Sequence, residues 1–111
     1  MAIFGTGIAL QTNTVTSSAH LVWTANSTAL AALSPAITVH DVTIINTGSV
    51  TVYLGTSSVT AATGLALPSG AQLTYNGYVA TTGTTTNDIY GITSSGTTTT
   101  EAALATVNAN V

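Results

Sequence analysis

The chain has 111 residues with no Lys and no Arg, and its acids are Asp41, Asp88 and Glu101, which gives a formal net charge of −3 at pH 7. Proteins that hold nucleic acid neutralise its phosphates with Lys or Arg, and attachment to anionic membranes uses basic patches. We therefore expect no nucleic-acid partner and no membrane partner. Partners are expected to bind through shape, apolar contact and neutral hydrogen bonds.

The residue content indicates a single all-β domain over residues 1–111. Hydrophobic residues make up 45% of the chain, enough to form a core at this length. The 25 Thr and 10 Ser residues supply surface hydroxyls in place of charges, and Thr favours strands. The absence of Cys excludes disulfides and thiolate metal sites. Because neither a basic leader nor an apolar run of about 20 residues is found, we expect synthesis in the cytoplasm.

The first third of the chain predicts two strands and a short helix. Residues 1–11 are mostly small and apolar, and they are interpreted as an N-terminal arm or an edge strand. His20–Ala25 is predicted to be a strand in which Trp23 is a core or interface residue, with stacking on a ligand as the alternative. Ser27–Leu33 favours one or two helical turns, with Asn26 or Ser27 as N-cap and Pro35 beyond the end, although a strand is an alternative.

The centre of the chain carries the clearest strand signals. Ile37–Ile45 is rich in β-branched residues, and Val50–Gly55 alternates apolar and polar side chains. The turn-forming residues 46–49 separate them, so we predict that the two runs form an antiparallel pair. The alternation changes phase near His40 and Asp41, which predicts a β-bulge there.

The remainder of the chain reads as short strands and turns. Tyr75–Tyr78 contains Asn-Gly, which predicts a hairpin or, alternatively, the tip of a surface loop. The other predicted features are a short run at Leu65–Leu67 before the turn Pro68–Gly70, an exposed segment at Thr81–Thr86, a strand at Asp88–Thr93 and a final strand at Thr97–Val107. In total, about seven to nine short strands and at most one short helix predict an antiparallel β-sandwich or a jelly-roll-like fold.

The edges of such sheets lack their usual protection. Monomeric β-proteins guard exposed edges with Lys, Pro or inward-facing charges, and this chain has no Lys and three acids. We therefore predict that some edges are covered by copies of the same chain or by a larger assembly.

Candidates for chemistry are few. His20 and His40 are the possible bases or metal ligands, but neighbouring strand residues such as His40 and Asp41 point to opposite faces. A zinc site needs three or four converging ligands, and no motif places a Ser or Thr nucleophile beside a base. We expect no catalytic site, no cofactor and no metal, and hence no enzyme; a hydrolase is a remote alternative.

Residues 46–70 contain a distinctive order of strand and turn residues. The pattern is a strand pair of the form N-x-G-S-x-x-V-Y-L-G, followed by V-T and G-x-x-L-x-P-x-G. In this chain it comprises the run from Asn46 through Thr47, Gly48, Ser49, Val50, Thr51, Val52, Tyr53 and Leu54 to Gly55, then Val59, Thr60, Gly64, Leu65, Leu67, Pro68 and Gly70.

This pattern resembles one found in small structural proteins of tailed bacteriophages, namely β-sandwich modules of head decoration proteins and head fibres, and it covers about a quarter of the chain. It implies a homo-oligomer, with a trimer favoured, that binds the major capsid protein or other virion proteins on the outer capsid surface and reinforces the shell. The candidate interface residues are apolar or aromatic: Phe4, Ile8, Trp23, Tyr53, Tyr75, Tyr78 and Tyr90. The alternatives are a carbohydrate-binding or adhesion module and a structural β-module of a tail or fibre.

Overall fold

The computed structural model describes residues 10–32, 36 and 38–108. These residues form eight strands and one short helix. In chain order the elements are β1 (Leu10–Val15), β2 (His20–Trp23), α1 (Thr28–Ala31), β3 (Thr38–Asn46), β4 (Val52–Gly55), β5 (Leu65–Leu67), β6 (Gln72–Thr81), β7 (Ile89–Ile92) and β8 (Thr98–Asn108). Among the described residues, no helix has the length and apolar character required to cross a membrane.

The strands form two four-stranded antiparallel sheets. Sheet A has the order β1-β8-β3-β6, and sheet B has the order β2-β7-β4-β5. The strands pair as first with last, second with seventh, third with sixth and fourth with fifth, and these pairs alternate between the sheets. This is the arrangement of an eight-stranded jelly roll. The predicted all-β sandwich or jelly-roll-like fold is confirmed.

The core lies between the sheets and uses inward-facing residues of both. Val42 and Ile44 of β3 and Val52 of β4 are fully buried, whereas the residues between them along each strand are more exposed. Trp23, the largest residue of this core, is also fully buried. Complete burial of such side chains supplies about 1.5–3 kcal/mol each, so alternation along the strands determines which faces meet.

The helix α1 covers one part of this core. Ser27 is its N-cap, and its Oγ accepts a hydrogen bond from the Leu30 backbone N–H at 3.3 Å. Leu30 is fully buried in the core cluster. The predicted helical turn with Ser27 as its cap is therefore confirmed, whereas Pro35 lies outside the described residues.

The predicted pairing of the two central runs is wrong. β3 pairs with β6 on one side and β8 on the other, and β4 pairs with β5 and β7. Both edges of β3 are therefore taken by strands from the second half of the chain. Residues 47–51 carry the chain from sheet A to sheet B, so they form a crossover between sheets instead of a hairpin turn.

The hairpin or loop tip predicted at Tyr75–Tyr78 is also wrong. The whole segment Gln72–Thr81 is one strand, β6, paired with the long strand β3. The register shifts where Asp41 pairs with Asn76 and Val39 pairs with Ala80, so three residues of β6 (77–79) face one residue of β3. The bulge predicted near His40 and Asp41 is thus confirmed. The Asn-Gly pair lies at this bulge and does not form a turn, because the long partner strand stabilises extended backbone.

The remaining predicted elements agree with the structure. The strands expected at Asp88–Thr93 and Thr97–Val107 appear as β7 and β8. The turn expected after β5 is present, with Gly70 at φ 76°, a conformation that favours glycine. Thr81–Thr86 is largely exposed as predicted, although Thr82 is buried. Residues 1–9 of the predicted arm lie outside the described residues, whereas Leu10 and Gln11 belong to the edge strand β1.

Candidate functional site

A groove runs along one side of the sandwich, between the terminal strand of each sheet. Its volume is about 400 Å³. One wall comes from β4 and β5 of sheet B, the other from β6 of sheet A, and the β6–β7 connection closes it. The lining residues are Leu54, Gly55, Thr56, Leu65, Leu73, Tyr75, Tyr78, Val79, Asn87, Asp88 and Ile89.

The groove gathers the large apolar side chains that the described part of the chain leaves exposed. Leu65 is 58% exposed, Tyr75 47% and Val79 49%. They come from β5 and β6, two consecutive strands that are terminal in different sheets. Single exposed apolar residues are common on protein surfaces, whereas a contiguous set in a concave site marks a place where something binds.

Two polar groups in the groove lack hydrogen-bond partners. The hydroxyl oxygen of Tyr78 and Oδ1 of Asp88 are both buried, and neither has a partner. Buried polar atoms normally are paired, so each of them carries a desolvation cost. The groove is therefore an apolar site with a carboxylate and a phenol in its walls, which is the usual composition of a binding site.

Burial raises the pKa of Tyr78 to about 12, and the negative charge of Asp88 adds to this increase. The indole N–H of Trp23 acts in the opposite direction, because a donor near the phenol favours its ionised form. The Trp23 Nε1 atom is itself buried and has no partner of hydrogen-bonding distance and angle. Tyr78 is thus a neutral phenol at physiological pH.

The β6–β7 connection places Asp88 in the groove. Asn87 has a positive φ of 65°, an uncommon conformation that Asn tolerates better than most residues. Its side-chain Nδ2 donates to the backbone oxygen of Val79 at 2.7 Å. The Asp88 backbone N–H donates to Thr85 O at 3.3 Å. The connection is therefore tied to the edge of β6 and to itself, which fixes the position of the carboxylate.

The structure separates the predicted interface residues into three groups. Tyr75 and Tyr78 both line the groove, with ring centroids 6.1 Å apart and ring planes at 72°. Tyr53 and Tyr90 are half-buried on sheet B, at positions that alternate with core residues. Trp23 is fully buried, so the prediction of it as a core residue is confirmed and the prediction of it as an interface residue is wrong. Tyr78 is 4% exposed, so it contributes a groove wall and little accessible surface.

The other two predicted interface residues, Phe4 and Ile8, lie outside the described residues. The residues that sequence reasoning missed are Leu65, Val79, Asn87 and Asp88. The sequence could have indicated Val79, because this apolar residue directly follows Tyr78 and interrupts the alternation of apolar and polar residues in β6. The four-residue connection between β5 and β6 indicates that the two strands are neighbours, but no sequence signal shows that they are the terminal strands of different sheets.

Of the two candidate bases, His20 is described by the structure, whereas the side chain of His40 lies outside the described part. His20 is exposed, and its Nδ1 interacts with Ser18 O at 2.7 Å, a local contact. Within residues 10–32, 36 and 38–108, no group of three or more His, Asp or Glu side chains converges on a possible metal position.

Comparison with known proteins identifies no family. A scan against protein-family models gives no match to this chain, and a search of curated proteins gives no significant relative.

Proposed function

We propose that the chain is a structural protein of a tailed-phage virion that binds the outer surface of the head and stabilises the shell. The observation that carries the proposal is the groove, in which the apolar side chains of Leu65, Tyr75 and Val79 lie between the terminal strands of a jelly roll. Jelly rolls are frequent among viral capsid proteins. The resemblance of residues 46–70 to decoration proteins supports the same role.

The lack of Lys and Arg also fits an exterior position. A protein on the inside of a capsid faces packaged DNA, where basic residues would neutralise phosphates, and this chain has none. The favoured partner is the major capsid protein, with the chain made in the host cytoplasm and assembled as a homo-oligomer, a trimer at three-fold positions.

The test is imaging of the native particle. Virions purified from the phage that encodes this chain should carry it on the outside of the head, seen as additional density by electron microscopy and as a stoichiometric component by mass spectrometry. Density on the tail would favour the fibre or tail module, and absence from the virion would refute the proposal.

Salt provides a second test. Because the chain offers few charges, its attachment should lose less than about twofold in occupancy between about 50 and about 200 mM salt, whereas an interface of many ion pairs weakens by orders of magnitude. Steep release over this range would contradict docking by apolar and edge contacts.

A second function is favoured by one specific observation. Tyr75, an exposed aromatic residue, lies in the groove together with Asn87 and Asp88, and jelly rolls also occur in lectins. Aromatic rings beside amides and carboxylates are a common way to hold a sugar. A glycan array probed with the purified chain tests a carbohydrate-binding role, and binding abolished by Tyr75→Ala would support it.

A further inference from the structure

We propose that the groove receives an extended, basic segment of a different protein, whose apolar side chains cover Leu65, Tyr75 and Val79 and whose Lys or Arg pairs with Asp88. The inference rests on the proposed function, because a shell protein would supply the segment. It adds the chemistry of that segment and the residues that meet it.

The charge of the groove determines what kind of protein can fill it. Asp88 is half-buried, and its Oδ1 is shielded from water without a hydrogen-bond partner. Covering the groove would bury this carboxylate further, and burial of an unpaired charge is strongly unfavourable unless a cation accompanies it. The occupant must therefore bring a positive group to Asp88.

A second copy of the chain is a poor source of that positive group. The sequence contains no Lys and no Arg, and its side-chain cations are restricted to protonated His20 and His40. His20 is held by Ser18 O at 2.7 Å at the start of β2, an edge strand on the side of the sandwich away from the groove. Self-association through the groove would cover its apolar residues but leave Asp88 without a Lys or Arg. This argues for a different protein, with self-association using another surface.

The shape of the site favours an extended segment. β5 and β6 are the terminal strands of their sheets and present backbone groups that an added strand can pair with. The backbone oxygen of Val79 already accepts a hydrogen bond from Asn87 Nδ2 at 2.7 Å. An added strand would therefore pair along Gln72–Asn76 or along β5 and place alternate side chains in the groove. A site of about 400 Å³ accommodates a few side chains.

A sugar fits these observations less well. Leu65 and Val79, two of the three exposed apolar residues, are aliphatic. The third, Tyr75, already packs edge-to-face with Tyr78, at 6.1 Å between ring centroids. Sugar sites use open aromatic faces, so the walls of this groove match aliphatic side chains of a peptide better.

The experiment is a selection from a random seven-residue peptide library on the immobilised full-length chain. Synthetic copies of the enriched peptides are then titrated into the protein in solution. We expect enriched sequences in which Lys or Arg is flanked by alternating apolar residues. Asp88→Asn should weaken binding by about tenfold or more, since charge-assisted pairs contribute on the order of 1.5–3 kcal/mol. Glu101→Gln, a matched change of an acid on β8, should leave binding unchanged.

The peptide itself provides a variant that does not depend on folding of the protein. Replacing its Lys or Arg with norleucine, which keeps the apolar stem, should reproduce the loss caused by Asp88→Asn. The inference would be overturned if the selection enriched no peptide or enriched peptides without a cation. It would also be overturned if Val79→Asp left peptide binding unchanged, or if a glycan competed with the peptide for the groove.

The peptide-binding assay contains no virion, so its result tests this inference independently of the proposed function. Basic peptides that bind through Asp88, combined with absence of the chain from phage heads, would leave the inference standing and refute the proposed function. The opposite combination would refute the inference alone.

Discussion

On one side of the sandwich, β1 and β2 are joined across the gap between the sheets by side-chain amides. Gln11 Nε2 donates to Thr24 O at 2.7 Å, and Gln11 Oε1 accepts from Thr24 N at 3.0 Å. Asn13 Nδ2 donates to Val22 O at 3.1 Å. These amides replace the backbone pairing that would close a barrel. On the other side, β5 and β6 flank the groove, where large apolar side chains remain exposed.

The comparison shows how a chain with almost no charge handles the edges of its sheets. Edges are commonly protected by Lys or by inward-facing charges, and here one side is protected by amides that satisfy the backbone of the opposite sheet. The side that lacks such closure is the one that collects Leu65 and Val79. An open, apolar edge suits the binding of a partner protein. Substitutions on the two sides of the sandwich should therefore have different consequences.

The largest effect is expected from Asn46, which joins both sheets at one end of the sandwich. Its Nδ2 donates to Val50 O at 2.7 Å and to Leu67 O at 2.9 Å, and its Oδ1 accepts from Thr98 Oγ1 at 2.6 Å and from Gly48 N at 3.1 Å. Asn46→Ala leaves several of these buried groups unpaired, which should lower the free energy of unfolding by about 3–5 kcal/mol.

Urea denaturation measures this loss, and the exposed residue Asn76 on β6 provides a control, because Asn76→Ala should change stability by less than about 0.5 kcal/mol. Similar values for the two variants would contradict the view that amides hold the sheets together.

The next effect concerns the closed side directly. Gln11→Ala removes both hydrogen bonds to Thr24, so we expect a loss of about 1–3 kcal/mol and faster amide hydrogen exchange in β1 and β2. Gln72→Ala is the matched change on the open side, where the side chain is exposed, and it should alter stability by less than about 0.5 kcal/mol. If Gln11→Ala and Gln72→Ala lowered the free energy of unfolding equally, the two sides of the sandwich would not differ in how the sheets are joined.

These amides illustrate what sequence reasoning could and could not provide. The position of β4 followed from alternation of apolar and polar residues, which depends on a strand's own two faces, and β2, β7 and β8 followed from residue types that favour strands. The pairing of β3 did not follow, because its partners β6 and β8 lie 26 or more positions along the chain and no local pattern encodes them. Asn46 was interpreted as a turn residue, and its role as a buried link depends on Leu67 and Thr98, which folding brings to it.

The location of the groove could not be predicted from the sequence either. Tyr75 and Tyr78 were expected to make contacts because aromatic residues commonly do, and both line it. Their location depends on β5 and β6 being terminal strands on the same side. Asp88 gave no signal, since a single acid before a strand is ordinary; what distinguishes it is burial of Oδ1 without a partner.

Tyr78 allows the open side to be tested by pH. Its pKa is raised to about 12 in the folded chain, above its ordinary value near 10, so between these values the unfolded chain loses its proton first. The contribution of Tyr78 is therefore fully present below about pH 10, and stability should fall above it by up to about 1.4 kcal/mol per pH unit.

Tyr78→Phe removes this dependence, and because the hydroxyl has no partner, it should be neutral or stabilising by up to about 1 kcal/mol at pH 7. Denaturation of both proteins from pH 8 to about pH 11 measures the difference. A clear loss of stability in Tyr78→Phe at pH 7 would instead reveal a hydrogen bond to the phenol.

The smallest effect on stability is expected at Val79, on the open side. Val79 is 49% exposed, so Val79→Thr, which keeps the shape and β-branching of the side chain, should change the free energy of unfolding by less than about 0.5 kcal/mol. Val22 on β2 is fully buried, and Val22→Thr places a hydroxyl in the core at a cost of about 1–3 kcal/mol. Urea denaturation measures both. Because Val79→Thr leaves the fold intact while it reduces the apolar surface of the groove, weaker attachment to the partner in this variant would assign the open side to binding. A destabilisation as large as that of Val22→Thr would instead assign Val79 to the core.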